Sequence, residues 1–266
     1  MQTAPGWIAS MMDFTITGAG LMITETTIDG YVGFDEAKAP EFYRSRKAVQ
    51  YADDIDSWVS VMSADRNGGY ANSWLLGDTK TGEIARYELG LKYAGPVERK
   101  KDGVFFGENI AQDLTVRNLE TADPGVYSDI RSSGARRVRW RKLLELNHGK
   151  IDVAHAKRMI GDHYDMYLHK QNACSRTLCG HIDQDDGMVG SNHGHPPFYP
   201  WGAVDGKVCD SAMAARMSFW GRWGRACGEP FDADAFQAEH PQFDWLEGYL
   251  IDRPGRAWTE LAGVAF

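Results

Sequence analysis

Cysteine is scarce. The chain of 266 residues carries 4 Cys, at Cys174, Cys179, Cys209 and Cys227. They have no tight, regular spacing, which excludes a disulfide-dense scaffold while leaving room for one bridge. Long apolar runs are also missing: no stretch approaches the ~18 apolar residues that a membrane-spanning helix needs. Positive charge is in deficit, with 29 Lys and Arg against 37 Asp and Glu and a net charge of -8. An acidic chain of this kind is poorly suited to a phosphate backbone, so no nucleic-acid partner is expected. The one basic cluster, Arg136, Arg137, Arg139, Arg141 and Lys142, reads as the solvated face of a helix. Met1–Gly20 lacks the basic lead of a signal peptide, and the compartment stays open.

The common nucleotide and protease signatures are absent as well. There is no Walker loop, no Gly-x-Gly-x-x-Gly after a strand, no His-Glu-x-x-His and no Gly-x-Ser-x-Gly. These absences weigh against phosphoryl transfer, hydride transfer and zincin chemistry.

What is present reads as a folded α+β chain, with 43% hydrophobic and 25% charged residues. Phe14–Thr17 and Leu21–Ile28 are rich in β-branched residues and flank Gly18-Ala19-Gly20, the pattern of a hairpin. Residues 40–64 predict two helices, the second capped by Asp53 or Asp54. Ala71–Gly77 and Glu83–Leu91 predict a second hairpin around Asp78–Gly82, with a further short strand at Val104–Phe106. Helices are expected over most of 111–170, one of them capped by Asp152 and carrying Tyr164 and Tyr167 on its apolar side. Strands follow at 174–182 and 201–210, separated by a long polar loop, and then a long helix from Ser211 to about Ala226. The aromatic tail from Glu229 reads as core. Strands, then helices, then strands suit layers of antiparallel sheet and helix in one domain, 1–266.

Several polar residues invite chemistry. Cys174, Cys179, His181, His193 and His195 fall within 174–195, and sulfur and imidazole suit zinc. Their spacing matches no standard knuckle, so a strand and a polar loop are the favoured reading, with no metal and no cofactor expected. A metal-dependent hydrolase built on His193, His195 and one of Asp183, Asp185 or Asp186 is a minor alternative. His148, His155, His163 and His169 read as surface or capping residues near helices. Asn72 is an amide in an otherwise apolar and small strand; it either bonds a neighbouring strand or donates to an oxyanion. Arg176, next to Cys174-Ser175, is a guanidinium able to hold a carboxylate or orient a reacting group.

The run Gly69–Glu83, with Asn72-Ser73-Trp74 in it, resembles the Asn-x-Trp strand and turn of the phospholipase B-like proteins. Glu25-Thr26-Thr27-Ile28 resembles their Glu-Thr-Thr-Ile strand, and Gly202–Val208 their Gly-x-Ile-Asp-x-Lys-Val strand. Ser175-Arg176 resembles an element shared with isopenicillin-N acyltransferase-like enzymes and bile salt hydrolases. The resemblance runs from about Gly6 to Ala214. It implies an N-terminal nucleophile (Ntn) hydrolase, with an αββα sandwich of mostly antiparallel sheets. It further implies a Cys, Ser or Thr nucleophile whose own α-amine acts as base.

In that reading Asn72 is the oxyanion-hole amide, Asn109 a second active-site Asn, and Arg176 the Arg that holds the nucleophile region. The expected reaction is amide or ester hydrolysis, or acyl transfer, on a small acylated substrate. One departure bears on this. Such proteins carry the nucleophile Cys on a strand well before the Glu-Thr-Thr-Ile strand, yet Met1–Thr24 holds no Cys. The chain therefore reads as an N-terminally truncated form of the domain, with its nucleophile elsewhere. The alternative is an inactive remnant that binds a small ligand or a partner chain. A homo-oligomer, or pairing with the absent N-terminal segment, are the partner arrangements left open.

Overall fold

A computed structural model describes residues 13–31, 33–122, 131–185 and 196–263. By contact density the chain divides into two compact units. The first is Met1–Val126 with Ser211–Met217; the second is Tyr127–Asp210 with Ser218–Phe266. The architecture is mixed α and β with antiparallel sheets, as expected.

The first unit is built on a five-stranded antiparallel sheet in the order β1-β2-β3-β4-β5. Its strands are β1 (Phe14–Ile16), β2 (Leu21–Thr27), β3 (Asn72–Asp78), β4 (Glu83–Leu89) and β5 (Glu98–Lys100). The two expected hairpins are present. The β3–β4 turn closes at Gly82, whose φ of 68° suits glycine. Helices α1 (Glu41–Tyr51) and α2 (Ile55–Ser63) follow β2 in sequence. Asp54 caps α2: its carboxylate accepts from the Ser57 N–H while the Ser57 hydroxyl answers the cap, a reciprocal box. Two-residue alternation buries Leu21 and Ile23 of β2 and Trp74 and Leu76 of β3 in one apolar cluster with Ala48, Ile55, Trp58 and Met62. Trp58 meets Trp74 edge-on at 5.1 Å.

Val104–Phe106 forms no strand; the fifth strand is the charged run Glu98–Lys100. Phe105 instead lies beneath the cations of Lys100 and Arg86, at 4.2 and 5.5 Å from its ring centre. Helices α3 (Leu114–Glu120) and α6 (Ser211–Ala215) complete this unit.

The second unit contains α4 (Ser132–Leu146), α5 (Val153–Ile160, capped by Asp152), α7 (Ala233–Glu239) and two small sheets. β6 (Tyr164–Asp165) pairs with β7 (Lys170–Gln171), and β8 (Asp205–Val208), β9 (Ser218–Trp223) and β10 (Thr259–Ala262) form a sheet ordered β10-β9-β8. Four expectations are corrected here. Tyr164 and Tyr167 lie outside the helix that Asp152 caps. Residues 174–182 are a buried turn closed by Thr177, whose hydroxyl bonds the Cys174 and Cys179 carbonyls at 2.9 Å each. The helix from Ser211 stops at Ala215, because Met217 adopts a φ of 55° that turns the chain into β9. The aromatic tail is mixed: Phe236 and Phe243 are buried, but Trp245 and Tyr249 are 65% and 82% exposed. Among the described residues no helix is long and apolar enough to cross a membrane.

Candidate functional site

The pleat of β2 sets the surroundings of Asn72. Leu21, Ile23, Glu25 and Thr27 alternate onto one face of β2, and Thr27 is the antiparallel partner of Asn72, the first residue of β3. Asn72 is fully buried. With its amide oriented to satisfy its neighbours, Nδ2 donates to Glu25 Oε2 at 2.5 Å and to the Ala71 carbonyl at 3.0 Å. The bond to a neighbouring strand is therefore present, and both amide hydrogens are engaged. Asn109 arrives at the same strand end: its Nδ2 donates to the Thr27 carbonyl at 2.8 Å, and its own carbonyl accepts from Asp29 N–H at 3.0 Å. The Thr27 hydroxyl donates to Tyr70 Oη at 2.7 Å. Asn72 and Asn109 thus meet at Thr27.

Sequence reasoning did not single out Glu25 as a site residue, although strand alternation after Leu21 and Ile23 turns it inward. Burial is the main force on its carboxyl, followed by the Asp13 charge and hydrogen bond and the Glu41 charge; together they push its pKa up to about 9. Glu25 therefore holds its proton at neutral pH. Burial also pushes Glu41 up to about 7, with Arg44 opposing and Asp13 adding.

Arg176 belongs to the second unit and sits in a separate polar network. It is fully buried in the 174–182 turn. Its Nε and Nη2 donate to Asp165 Oδ2 at 3.0 and 2.6 Å, and Nη1 lies 3.8 Å from Asp185 Oδ1. Burial opposes ionisation of Asp165. The Arg176 bonds, the Tyr167 N–H and the Asn172 amide outweigh it and hold that carboxyl below its ordinary range. Arg176 holds a carboxylate, one of the two tasks its residue type allows.

The thiols divide. Burial pushes Cys174 up to about 12, so it is a poor nucleophile. Cys174 and the minor-alternative ligands Asp183 and Asp185 are engaged elsewhere. Cys174 Sγ faces Asp165 at 3.6 Å, Asp183 pairs with Arg225 at 2.5 Å, and Asp185 neighbours Arg176. His193, His195 and Asp186 lie outside the described residues. His155 is a capping residue, its Nδ1 2.7 Å from Asp152. His163 is not: it is brought against Cys179, His181 and Cys227. Arg139, expected on a solvated face, makes a bidentate pair with Asp162 at 2.7 Å for both bonds.

A cleft of about 190 Å³ opens beside this turn, lined by Arg136, Ser175, Ile182 and Trp201 among others. That is below the ~300–1,000 Å³ of sites that enclose a whole small ligand, so it accommodates a fragment or headgroup.

No protein-family profile matches the chain. Two phospholipases are similar to it. One is the Phospholipase B of Crotalus adamanteus, 25% identical over 235 residues, covering 80% of this chain and 40% of that protein. The other is Phospholipase-B 81 of Drysdalia coronoides, 26% identical over 243 residues with the same coverage. The chain spans about 40% of the length of these curated relatives. It is similar to phospholipase B proteins over 80% of its own length, which agrees with the resemblance carried by Glu25–Ile28, Gly69–Glu83 and Gly202–Val208.

Proposed function

We propose that the chain is part of a hydrolase that cleaves an ester or amide bond of an acylated substrate by the Ntn route, with phospholipid esters the first class to test. The observation that carries this reading is the similarity to two phospholipases B across 80% of the chain. The finer claims are the αββα sandwich, the Ntn mechanism and acyl transfer as an alternative outcome. They rest on the motif order along β2, β3 and β8.

In the proposed reaction the nucleophile is a Cys, Ser or Thr with a free α-amine, as the resemblance implies. Its side-chain proton passes to its own α-amine as its sulfur or oxygen bonds the acyl carbon. Asn72 donates to the carbonyl oxygen as it becomes an oxyanion, exchanging its bond to Glu25 or Ala71 for one to substrate. The leaving alcohol or amine takes the proton. Water then releases the acid, or a second nucleophile takes the acyl group. Asn109 holds the end of β2 that pairs with Asn72. Arg176, fixed by Asp165, is assigned to the nucleophile region.

A second reading is favoured by one specific observation: both Asn72 hydrogens are already bonded. In it the chain is an inactive relative that binds a ligand or partner chain. One experiment separates the two. Protein from its native source is mixed with a phospholipid, quenched in acid and weighed intact. The hydrolase reading expects one acyl group added to an N-terminal Cys, Ser or Thr. Turnover with no adduct at such a residue contradicts the Ntn mechanism, and absence of turnover favours the inactive relative.

A further inference from the structure

In the second unit, beside the turn that holds Arg176, four ligand-type side chains converge. His163 follows α5, Cys179 and His181 stand in the buried 174–182 turn, and Cys227 follows β9. One ligand atom from each lies within 4.8 Å of all the others. From this juxtaposition we infer a structural zinc site with His163, Cys179, His181 and Cys227 as its four ligands.

The distances suit that ion. Zinc bonds of ~2.3 Å to sulfur and ~2.0–2.1 Å to nitrogen place S···N edges of a tetrahedron at about 3.6 Å and S···S edges at about 3.8 Å. Cys179 Sγ stands 3.5 Å and Cys227 Sγ 3.6 Å from His181 Nε2. The widest separation in the set, 4.8 Å, has to close by about 1 Å to reach those edges. The rings of His163 and His181 stand at 90° with centroids 4.7 Å apart, so neither blocks the space between the sulfurs.

The surroundings are those of a metal centre. Thiolate sulfurs bound to zinc accept backbone N–H bonds. Here Cys227 N–H donates to Cys179 Sγ and Glu229 N–H to Cys227 Sγ, each at 3.4 Å. The other ring nitrogen of His181, Nδ1, faces the Glu229 carboxylate at 3.8 Å, the outer-shell arrangement that orients a ligating imidazole. His181 and Cys179 are fully buried, and His163 Nε2 is buried without a hydrogen-bond partner. Unpaired buried imidazole nitrogens are costly, and a bound ion would give such a ring its purpose.

The backbone brings the set together. Cys179 N–H donates to the Asp162 carbonyl, drawing His163 alongside. Gly202, bridged to His181, lets its segment approach the turn, since a Cβ there would meet the Gly180 carbonyl at 2.4 Å. Gly161 packs against Cys227, its virtual Cβ 3.3 Å from Cys227 Cα. Four protein ligands close the tetrahedron, so the ion has no position left for substrate and acts as a cross-link. The two sulfur and two nitrogen donors select zinc over the hard cations. The site is independent of the proposed hydrolase chemistry and stands or falls apart from it.

Elemental analysis of the full chain, purified under reducing conditions from zinc-supplemented culture, tests this. The expected result is about one zinc per chain. After removal of zinc, cobalt(II) should give the strong visible bands of a tetrahedral site with sulfur-to-metal charge transfer, and either metal should shield Cys179 and Cys227, but not Cys209, from alkylation. Cys227→Ser and His163→Ala, both at half-buried positions, should each lower occupancy at least tenfold. Should these variants misfold, the cobalt spectrum and the alkylation pattern of the unaltered chain still decide. Zinc below a tenth of an equivalent with no cobalt charge transfer overturns the site. So does a Cys179–Cys227 disulfide in protein purified without reductant, or full occupancy in a folded Cys227→Ser chain.

Discussion

At Glu25 the fold encloses a carboxyl that water would ionise. Folding raises its pKa from an ordinary 4.5 to about 9. Between those values the native chain binds a proton that the unfolded chain has lost. Stability therefore falls as pH rises through that window and levels off above it. Glu25→Gln keeps an acceptor for Asn72 and removes the titration. Compared by urea unfolding at pH 5 and pH 8.5, the variant should gain on the wild type at the higher pH by more than about 1.4 kcal/mol, the worth of one pKa unit. An equal difference at both values would contradict a trapped proton. Asp165 has the opposite sign. Its carboxyl is held low, so the stability it adds is present above the ordinary Asp value and is lost as pH falls. Arg176→Met leaves that buried carboxylate without its guanidinium and should cost roughly 3–5 kcal/mol. A midpoint shift near zero in urea would show that the backbone N–H bonds to Asp165 suffice.

Helix α2 shows the same argument one level up. Its Asp54–Ser57 box satisfies N–H groups that the first turn leaves open. Asp54→Ala should cost about 1 kcal/mol, within the ~0.5–2 range for lost caps, and thermal unfolding measures it. That cap was legible in the sequence, as were both hairpins and the α1–α2 pair, because turn residues and apolar period agreed there. Elements were misread where one local signal was overruled. Val104–Phe106 has strand composition, yet Phe105 is taken up by Lys100 and Arg86, and the charged Glu98–Lys100 pairs with β4 instead. Ser211 opens a helix, but a methionine at positive φ ends it two residues after Ala215, a conformation that composition does not announce. Of the candidate site, Asn72 and Arg176 were identifiable as polar residues in apolar runs. The meeting of Asn72 and Asn109 at Thr27 depends on register between distant strands, and the grouping of His163 and Cys227 with Cys179 and His181 joins positions 64 residues apart in number, from 163 to 227.

Over the whole molecule, both apolar clusters among the described residues belong to the first unit. The second unit relies more on buried polar pairs such as Arg176–Asp165 and Arg225–Asp183, and a bound ion is the expected complement. A ligand that binds only the folded chain stabilises it by mass action. Removing zinc with a chelator should therefore lower the thermal midpoint, and added zinc should restore it; a midpoint indifferent to both would contradict a structural ion. The hydrolase reading meets its most direct test in fatty-acid release from a phospholipid by protein from its native source, compared with the same protein carrying Asn72→Ala. The account predicts release by the wild type and a loss of roughly 10²–10³-fold in kcat from removing one oxyanion donor. Release unchanged by Asn72→Ala would contradict it.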